Sequence, residues 1–120
     1  MATFRIERLN REFLRDMADI VANRLKDERL RDAMLTGVEC SRDLSHAKVY
    51  FTVLDYSSAE GVKSALDSCA GRIRGFLGRD MRVRQVPELR FVFDDSERKA
   101  REIDALIDRV MKEDSFGKSQ

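Results

Sequence analysis

The hydrophobic pattern of this chain of 120 residues changes period along its length, and the order of those changes constrains the fold more than any other feature. Apolar residues recur every three or four positions in some segments, which is typical of helices. They alternate with polar residues in others, which is typical of strands. The predicted order is a helix at 6–25, strands at 34–40 and 47–53, a kinked helix pair at 62–78, a strand at 87–94 and a helix at 96–112.

The connections between these elements indicate the fold class. A helical crossover between the second and third strands favours parallel pairing of those strands. Turn-forming residues at 41–46 join the first two strands, which predicts an antiparallel hairpin. We therefore predict an α+β domain, with helices on one face of a three-stranded mixed sheet. It should span residues 1–112 and be followed by a flexible tail at 113–120.

The spacing of apolar residues predicts that two sets of side chains face the core. The first strand should point one set inward, namely Met34, Thr36, Val38 and Cys40. The last helix should bury another, namely Ile103, Leu106, Ile107 and Val110.

Composition narrows the class of protein. No apolar run approaches the ~20 residues needed to span a membrane, and the N-terminus has no apolar signal core, so a cytoplasmic protein with no membrane partner is expected. Cys40 and Cys69 are far apart in the sequence, which favours two reduced cysteines. The formal net charge is only +1, yet residues 70–90 carry six basic and two acidic groups. This local patch, rich in arginine, suits bidentate contacts with phosphate.

Glycines lie within the same basic stretch, in "CAGRIRGFLGRDMRVR" at residues 69–84. Each glycine inside a helix costs about 1 kcal/mol relative to alanine, so Gly71 predicts a kink between two helices. The segment GFLG resembles the GxxG loop that clamps a nucleic-acid backbone. Phe76 and Leu77 fall on the apolar helical face, however, so we interpret Gly78 as a helix C-cap instead.

No catalytic residue, metal site or cofactor is predicted. His46 is the only histidine and lies in a turn, and one histidine with two cysteines is too few for a clustered zinc site. Asp94, Asp95 and Glu97 could hold magnesium for phosphodiester cleavage, which would make the protein a nuclease. The simpler interpretation is that Asp94 and Glu97 cap the last helix.

Four segments, in order and with similar spacing, resemble the bacterial ribosome-binding factor A family, and the resemblance covers about residues 5–107. Two departures are visible: Glu28 stands where the family's link has proline, and Cys69 replaces the first alanine of its Ala-x-Gly motif. The matching segments are RIERLNRE at 5–12, KDERL at 26–30, VECSRDLSHAKVYFTV at 38–53 and MRVRQVPELRFVFDDS at 81–96.

The resemblance implies a KH-like fold of the helix-first type (type II), in which a helix–kink–helix at Cys69, Ala70 and Gly71 replaces the GxxG loop. It also implies a non-enzymatic assembly factor that binds the immature small (30S) ribosomal subunit and assists maturation of its 16S ribosomal RNA. A monomer without a small-molecule substrate is expected. The alternative is a general KH-like module that binds RNA or protein without specificity for the ribosome.

The basic patch and the resemblance together predict an RNA-binding site near the kink. The arginines near the N-terminus could equally serve solubility, by pairing with acidic neighbours on their own helix. The residues expected to contact phosphate are Arg72, Arg74, Arg79, Arg82 and Arg84, followed by Arg5, Arg8, Arg42 and Lys48.

Overall fold

A computed structural model describes the backbone of residues 2–118 and the side chains of residues 5–112. No helix in this part of the chain is long and apolar enough to cross a bilayer. The helices are α1 (Ala2–Asp19), which a π-helical turn at Ile20–Arg24 continues, α2 (Ala59–Asp80) and α3 (Ser96–Lys118). The strands are β1 (Ala33–Cys40), β2 (His46–Val53) and β3 (Glu88–Phe93), and short 3-10 turns lie at Glu28–Leu30 and Tyr56–Ser58.

The three strands form one mixed sheet with β2 in the centre. β1 pairs with β2 in antiparallel orientation, and β3 pairs with β2 in parallel orientation after the crossover through α2. The predicted α+β class, hairpin and parallel pair are confirmed.

The core lies between the sheet and two of the helices. α1 and α2 pack against it through side chains that are fully or almost fully buried, and α2 also contacts α1. The central strand contributes the inward-facing half of its residues. The largest fully buried side chains include Phe13, Met17, Ile20, Val49, Phe51, Leu66, Ile73, Leu77 and Phe91.

The inward face of β1 differs from the predicted one because the strand contains a β-bulge. The pairing register shifts between Leu35 and Gly37, where one extra residue enters the strand. Val38 and Cys40 face the core as expected, but Met34 and Thr36 are exposed. The prediction for Met34 and Thr36 was wrong, since a bulge reverses the alternation on one of its sides.

α2 is a single helix and not two. Helical structure continues without a break through Cys69, Ala70 and Gly71, which corrects the predicted helix pair. Cys69, Ile73 and Leu77 stay buried on one face across the glycine. Burial of such side chains contributes about 1.5–3 kcal/mol each and outweighs the cost of Gly71.

α3 does not bury its apolar side chains. Every residue from Ser96 to Lys112 is exposed, so the predicted burial of the apolar face was wrong. α3 also extends to Lys118, which makes residues 113–118 of the predicted tail helical, while residues 119 and 120 lie outside the described part. The exposed fractions are 57% for Ile103, 53% for Leu106, 49% for Ile107 and 49% for Val110.

Candidate nucleic-acid interface

Three chain segments meet at one end of the sheet. The backbone N–H of Cys40 donates to Asn10 Oδ1 at 2.8 Å, which joins the middle of α1 to the end of β1. Glu88 N–H donates to the carbonyl of Ser45 at 3.0 Å, which joins the start of β3 to the hairpin loop. We call residues 5–10, 41–48 and 81–88, together with the neighbouring Arg90, the loop edge. It contains Arg5, Arg8, Arg42, Lys48, Arg82 and Arg84, which are all exposed.

The hairpin loop within this edge is held in one conformation by Asp43. Its carboxylate accepts hydrogen bonds from Ser45 Oγ at 2.7 Å, from Ser45 N–H at 3.1 Å and from Ser41 Oγ at 2.8 Å. These bonds lower the pKa of Asp43 to about 2, with the Ser45 side chain as the largest cause. Leu44 adopts a left-handed backbone with φ of 60°, which closes the turn. The loop therefore presents Arg42 from a rigid support.

Two basic residues lie side by side on the sheet face opposite the helices. Lys48 and Arg90 are directly paired across β2 and β3, and both side chains are exposed. Glu39 lies beside Lys48 on β1, so one carboxylate borders the pair. Sequence reasoning missed Arg90, although its place between the inward-facing Leu89 and Phe91 indicates an outward side chain.

Two of the predicted phosphate-binding arginines are engaged within the chain. Arg72 donates to the carbonyl of Leu25 at 3.3 Å. Arg74 donates through Nε to the carbonyl of Pro87 at 3.1 Å and through Nη2 to the carbonyl of Val86 at 3.0 Å. Arg74 thus fastens the end of segment 81–88 to α2.

Arg79 belongs to a cluster with Phe76, Arg24 and Asp80, none of which the sequence analysis predicted as a site residue. Its guanidinium lies 5.0 Å from the ring centroid of Phe76, and that of Arg24 lies 4.4 Å from the same ring. Arg24 also forms a bidentate ion pair with Asp80, at the end of α2. The π-helical turn carries Arg24 to this position, and no sequence pattern marks such a turn.

Arg82 lies beside an acidic cavity of about 560 Å³. Four carboxylates line this cavity, and Arg15 is the second arginine there, so Arg82 faces more negative than positive charge. A phosphate would meet those carboxylates as well, which makes Arg82 a weaker phosphate ligand than Arg84. The acidic residues are Glu12, Asp16, Asp19 and Asp80.

Asp16 is the one residue in this cavity with a strongly raised pKa. Burial raises the pKa of Asp16 to about 6, and the neighbouring Asp80 carboxylate adds to the effect. Asp16 Oδ2 is buried without a hydrogen-bond donor, so the ionised form is poorly solvated. When protonated, the Asp16 carboxyl group can donate to Asp80, whose own pKa is lowered by Arg24.

We expect Asp16→Asn to stabilise the protein at alkaline pH and not at acidic pH. The folded pKa of Asp16 is raised from 3.8 to about 6, so the proton's contribution to stability is complete only below pH 3.8 and is lost as pH rises from there through about 6. An amide donates to Asp80 at every pH. Urea unfolding should show a gain of about 1 kcal/mol near pH 8, after allowance for partial exposure, and about none near pH 3. The exposed Asp19→Asn is the control, and a gain for Asp16→Asn that is equal at both pH values would contradict the assignment.

The acidic residues of the nuclease alternative are all engaged in structural contacts. Asp94 accepts from Ser96 N–H at 2.9 Å and from Thr36 Oγ1 at 2.9 Å, and the Ser96 contacts lower its pKa. Asp95 pairs with Lys99 at 3.3 Å, and Glu97 lies 4.0 Å from Arg101. The contact of Asp94 with Ser96 N–H supports the predicted role as a cap of α3.

The fold and the loop edge together define a small α+β binding domain with a basic surface. Within the part of the chain that the structure describes, no three or more His, Cys, Asp or Glu side chains are placed so that they could hold a metal ion together. The family model of ribosome-binding factor A matches residues 5–107. The chain belongs to the ribosome-binding factor A family and is a ribosome-binding factor. This membership confirms the expectation that it is not an enzyme.

Individual relatives agree with the family assignment. Ribosome-binding factor A of Pseudomonas paraeruginosa is 41% identical over 113 residues, which cover 92% of this chain and 88% of the relative. The protein of Chromobacterium violaceum is 40% identical over 117 residues, covering 96% of this chain and 85% of the relative.

Solved structures of the family share the fold. The crystal structure of ribosome-binding factor A from Thermus thermophilus has a TM-score of 0.67 at 28% identity, covering 73% of this chain and 93% of that one. A homology model of the Thermus thermophilus protein, fitted into a cryo-EM map of its complex with the 30S subunit, has a TM-score of 0.62 at 28% identity with the same coverage.

Proposed function

We propose that this protein binds the immature 30S subunit in the cytoplasm, as one copy per subunit, and assists the maturation of 16S ribosomal RNA without catalysis. The observation that carries the proposal is the loop edge, where hydrogen bonds join α1, the hairpin loop and the start of β3, and where exposed basic side chains lie along each of the three segments. The similarity to a protein fitted into a 30S complex supports the choice of partner.

The mechanism rests on binding energy. Arginine and lysine side chains neutralise phosphates, which positions the domain on RNA without reading its sequence. A rigid surface then favours the RNA conformation that fits it over conformations that do not. A preference of about 1.4 kcal/mol shifts such an equilibrium tenfold. The hydrogen-bonded loop around Asp43 lowers the ordering cost on binding.

The predicted RNA-binding residues divide into two groups by the contacts they make. Arg72 and Arg74 hydrogen-bond backbone carbonyls, so we propose that they shape the surface and do not bind phosphate directly. Arg42, Lys48 and Arg84 are exposed, and with Arg90 they form the proposed centre of the phosphate-binding surface. The proposed periphery consists of Arg5, Arg8, Arg79 and Arg82.

Co-sedimentation with purified subunits tests this function. The protein should pellet with small subunits and not with large ones, and its affinity should fall steeply between about 50 and about 200 mM salt as counterions are released. A free RNA duplex and a single strand serve as competitors. Displacement of the protein by either competitor as readily as by small subunits would favour the general KH-like module. Equal binding to both subunits would refute the proposed partner.

A further inference from the structure

A tyrosine lies at the centre of the sheet face opposite the helices. Tyr50 is on the outward side of the central strand β2, and its direct neighbour on β1 is Gly37. Lys48 and Arg90 are exposed on the same face, α1 and α2 pack on the other one, and α3 is itself exposed along residues 96–112. No helix of the described part of the chain therefore covers this face of the sheet.

The Tyr50 ring lies against the sheet and turns one flat side to solvent. The side chain is half-buried although no described element packs above it, so the strands beneath it supply the cover. Its hydroxyl donates to Glu39 Oε2 at 3.2 Å, and a Cβ at position 37 would lie 3.7 Å from the ring atom Cδ2. The ring therefore extends over β1 beside the glycine, and Glu39 holds it in one orientation. A ring fixed in this way loses little freedom when a second flat group stacks on it.

The charged groups around the ring favour a nucleotide as that second group. Lys48 and Arg90 are displaced from the tyrosine by two residues toward the loop edge, which is about 7 Å along a strand. Neither forms an ion pair among the side chains that the structure describes, so both are available to a phosphate. The carboxylates beside them are engaged, because Glu39 accepts from the tyrosine and Glu88 lies 3.5 Å from Nε2 of His46.

We infer that the sheet face around Tyr50 binds an unpaired nucleotide of RNA, with its base stacked on the Tyr50 ring and its phosphate held by Lys48 and Arg90. Stacking on an aromatic side chain requires a base outside a duplex, because a paired base already has neighbours on both of its flat sides. It tolerates any base, since every base has a π-face. The inference rests on the proposed function, because it extends the loop edge onto the sheet and names unpaired RNA as the ligand there.

The two parts of this surface select different features of an RNA. The basic side chains of the loop edge can reach phosphates of a duplex or of a single strand. The Tyr50 ring can accept a base only from a strand that is unpaired at that point. The ring therefore gives the protein a preference for RNA whose folding is incomplete, and the preference disappears where the strand becomes paired.

Equilibrium binding of hexauridylate to the full chain tests the stacking. This RNA does not pair with itself, and an abasic strand of the same length and charge measures the contribution of the phosphates alone. Near about 50 mM salt, wild-type protein should bind hexauridylate about tenfold more tightly than the abasic strand, which corresponds to about 1.4 kcal/mol. Equal affinities for the two strands would overturn the inference.

Substitutions of Tyr50 assign the preference to its ring. Tyr50→Ile should bind hexauridylate as weakly as the abasic strand, because isoleucine suits a strand but has no ring. Tyr50→Phe should keep the preference, since the ring remains and only the hydrogen bond to Glu39 is lost. Thr52→Val, on the same face of β2, is the matched control and should leave both affinities unchanged. A Tyr50→Ile protein that still prefers the strand with bases would refute the role of the ring.

A measurement on wild-type protein keeps the test independent of how the variants fold. Hexauridylate should move the NMR resonances of the Tyr50 ring protons upfield, as a stacked base does, and the abasic strand should not. Unchanged resonances with hexauridylate at saturation would contradict the stacking.

The inference and the proposed partner can fail separately. Equal affinities for hexauridylate and the abasic strand refute the stacking even where small subunits still pellet the protein. Equal binding to small and large subunits refutes the partner, whereas a tenfold preference for hexauridylate would still support the stacking. If Tyr50→Ile weakens binding to small subunits while wild type does not distinguish the two strands, this face contacts a subunit protein and the inference fails.

Discussion

The triple variant Arg42→Ala/Lys48→Ala/Arg84→Ala is expected to bind small subunits about 100-fold more weakly than wild type near 100 mM salt. Each side chain is exposed at the loop edge and faces solvent, where it can reach a phosphate. Loss of three phosphate contacts should also lower the slope of log affinity against log salt by about three. Co-sedimentation at several salt concentrations measures both quantities. The fold should be unaffected, since none of the three side chains is buried.

A matched control separates this effect from a change in overall charge. Arg31→Ala/Lys63→Ala/Arg109→Ala removes the same number of positive charges from exposed positions outside the loop edge. It should bind within about threefold of wild type, because screening limits the reach of surface charges to about 10 Å. Equal losses in the two triple variants would show that net charge drives binding, and the loop edge would then be rejected as the site.

Arg74→Ala is expected to lower the free energy of unfolding by about 2 kcal/mol, the largest effect on stability among the basic residues considered. The substitution leaves the carbonyls of Val86 and Pro87 without their charged donor, and Pro87 is fully buried. Segment 81–88 would then lose two of its hydrogen bonds to α2. Urea unfolding at pH 7 measures the change.

Arg72→Ala is the comparison for Arg74→Ala. Arg72 makes one hydrogen bond, at 3.3 Å, from an exposed position, so its loss should cost only about 0.5 kcal/mol. If Arg74→Ala were as stable as Arg72→Ala while binding subunits more weakly, Arg74 would be a phosphate ligand and not a structural residue. The hydrogen bonds to the two carbonyls would then be dispensable for the fold.

The sheet could be predicted from the sequence because its strands have local signatures. Alternation along residues 47–53, the turn before them and a helical crossover to residue 87 predict the antiparallel hairpin and the parallel pair, and both predictions are confirmed. The resemblance of four segments was sufficient to identify the family to which the chain belongs. These features depend on short-range patterns, which a single sequence records directly.

Features that depend on long-range contacts were missed. The bulge near Gly37 has no sequence signature strong enough to reveal a shift of one residue. Gly71 was given a local helix-breaking role, but the buried face of α2 keeps the helix intact. Ile103 and its neighbours have the spacing of a buried face, and spacing alone does not specify what covers it. The roles of Arg24 and Arg74 could not be predicted, because they depend on the groups that the fold brings to each side chain: the Asp80 carboxylate for Arg24, and two backbone carbonyls for Arg74.

The parallel pairing of β2 with β3 also determines the order in which the chain can fold during synthesis. β1 and β2 form a hairpin from neighbouring residues, so this contact is available as soon as Val53 has emerged. The other edge of β2 stays open until Glu88–Phe93 has been made, because α2 separates the two strands. Contacts between residues far apart in sequence form slowly. The second edge of β2 therefore stays unpaired while the next 40 residues are made, about a third of the chain, and this interval is when the chain is most open to misassembly.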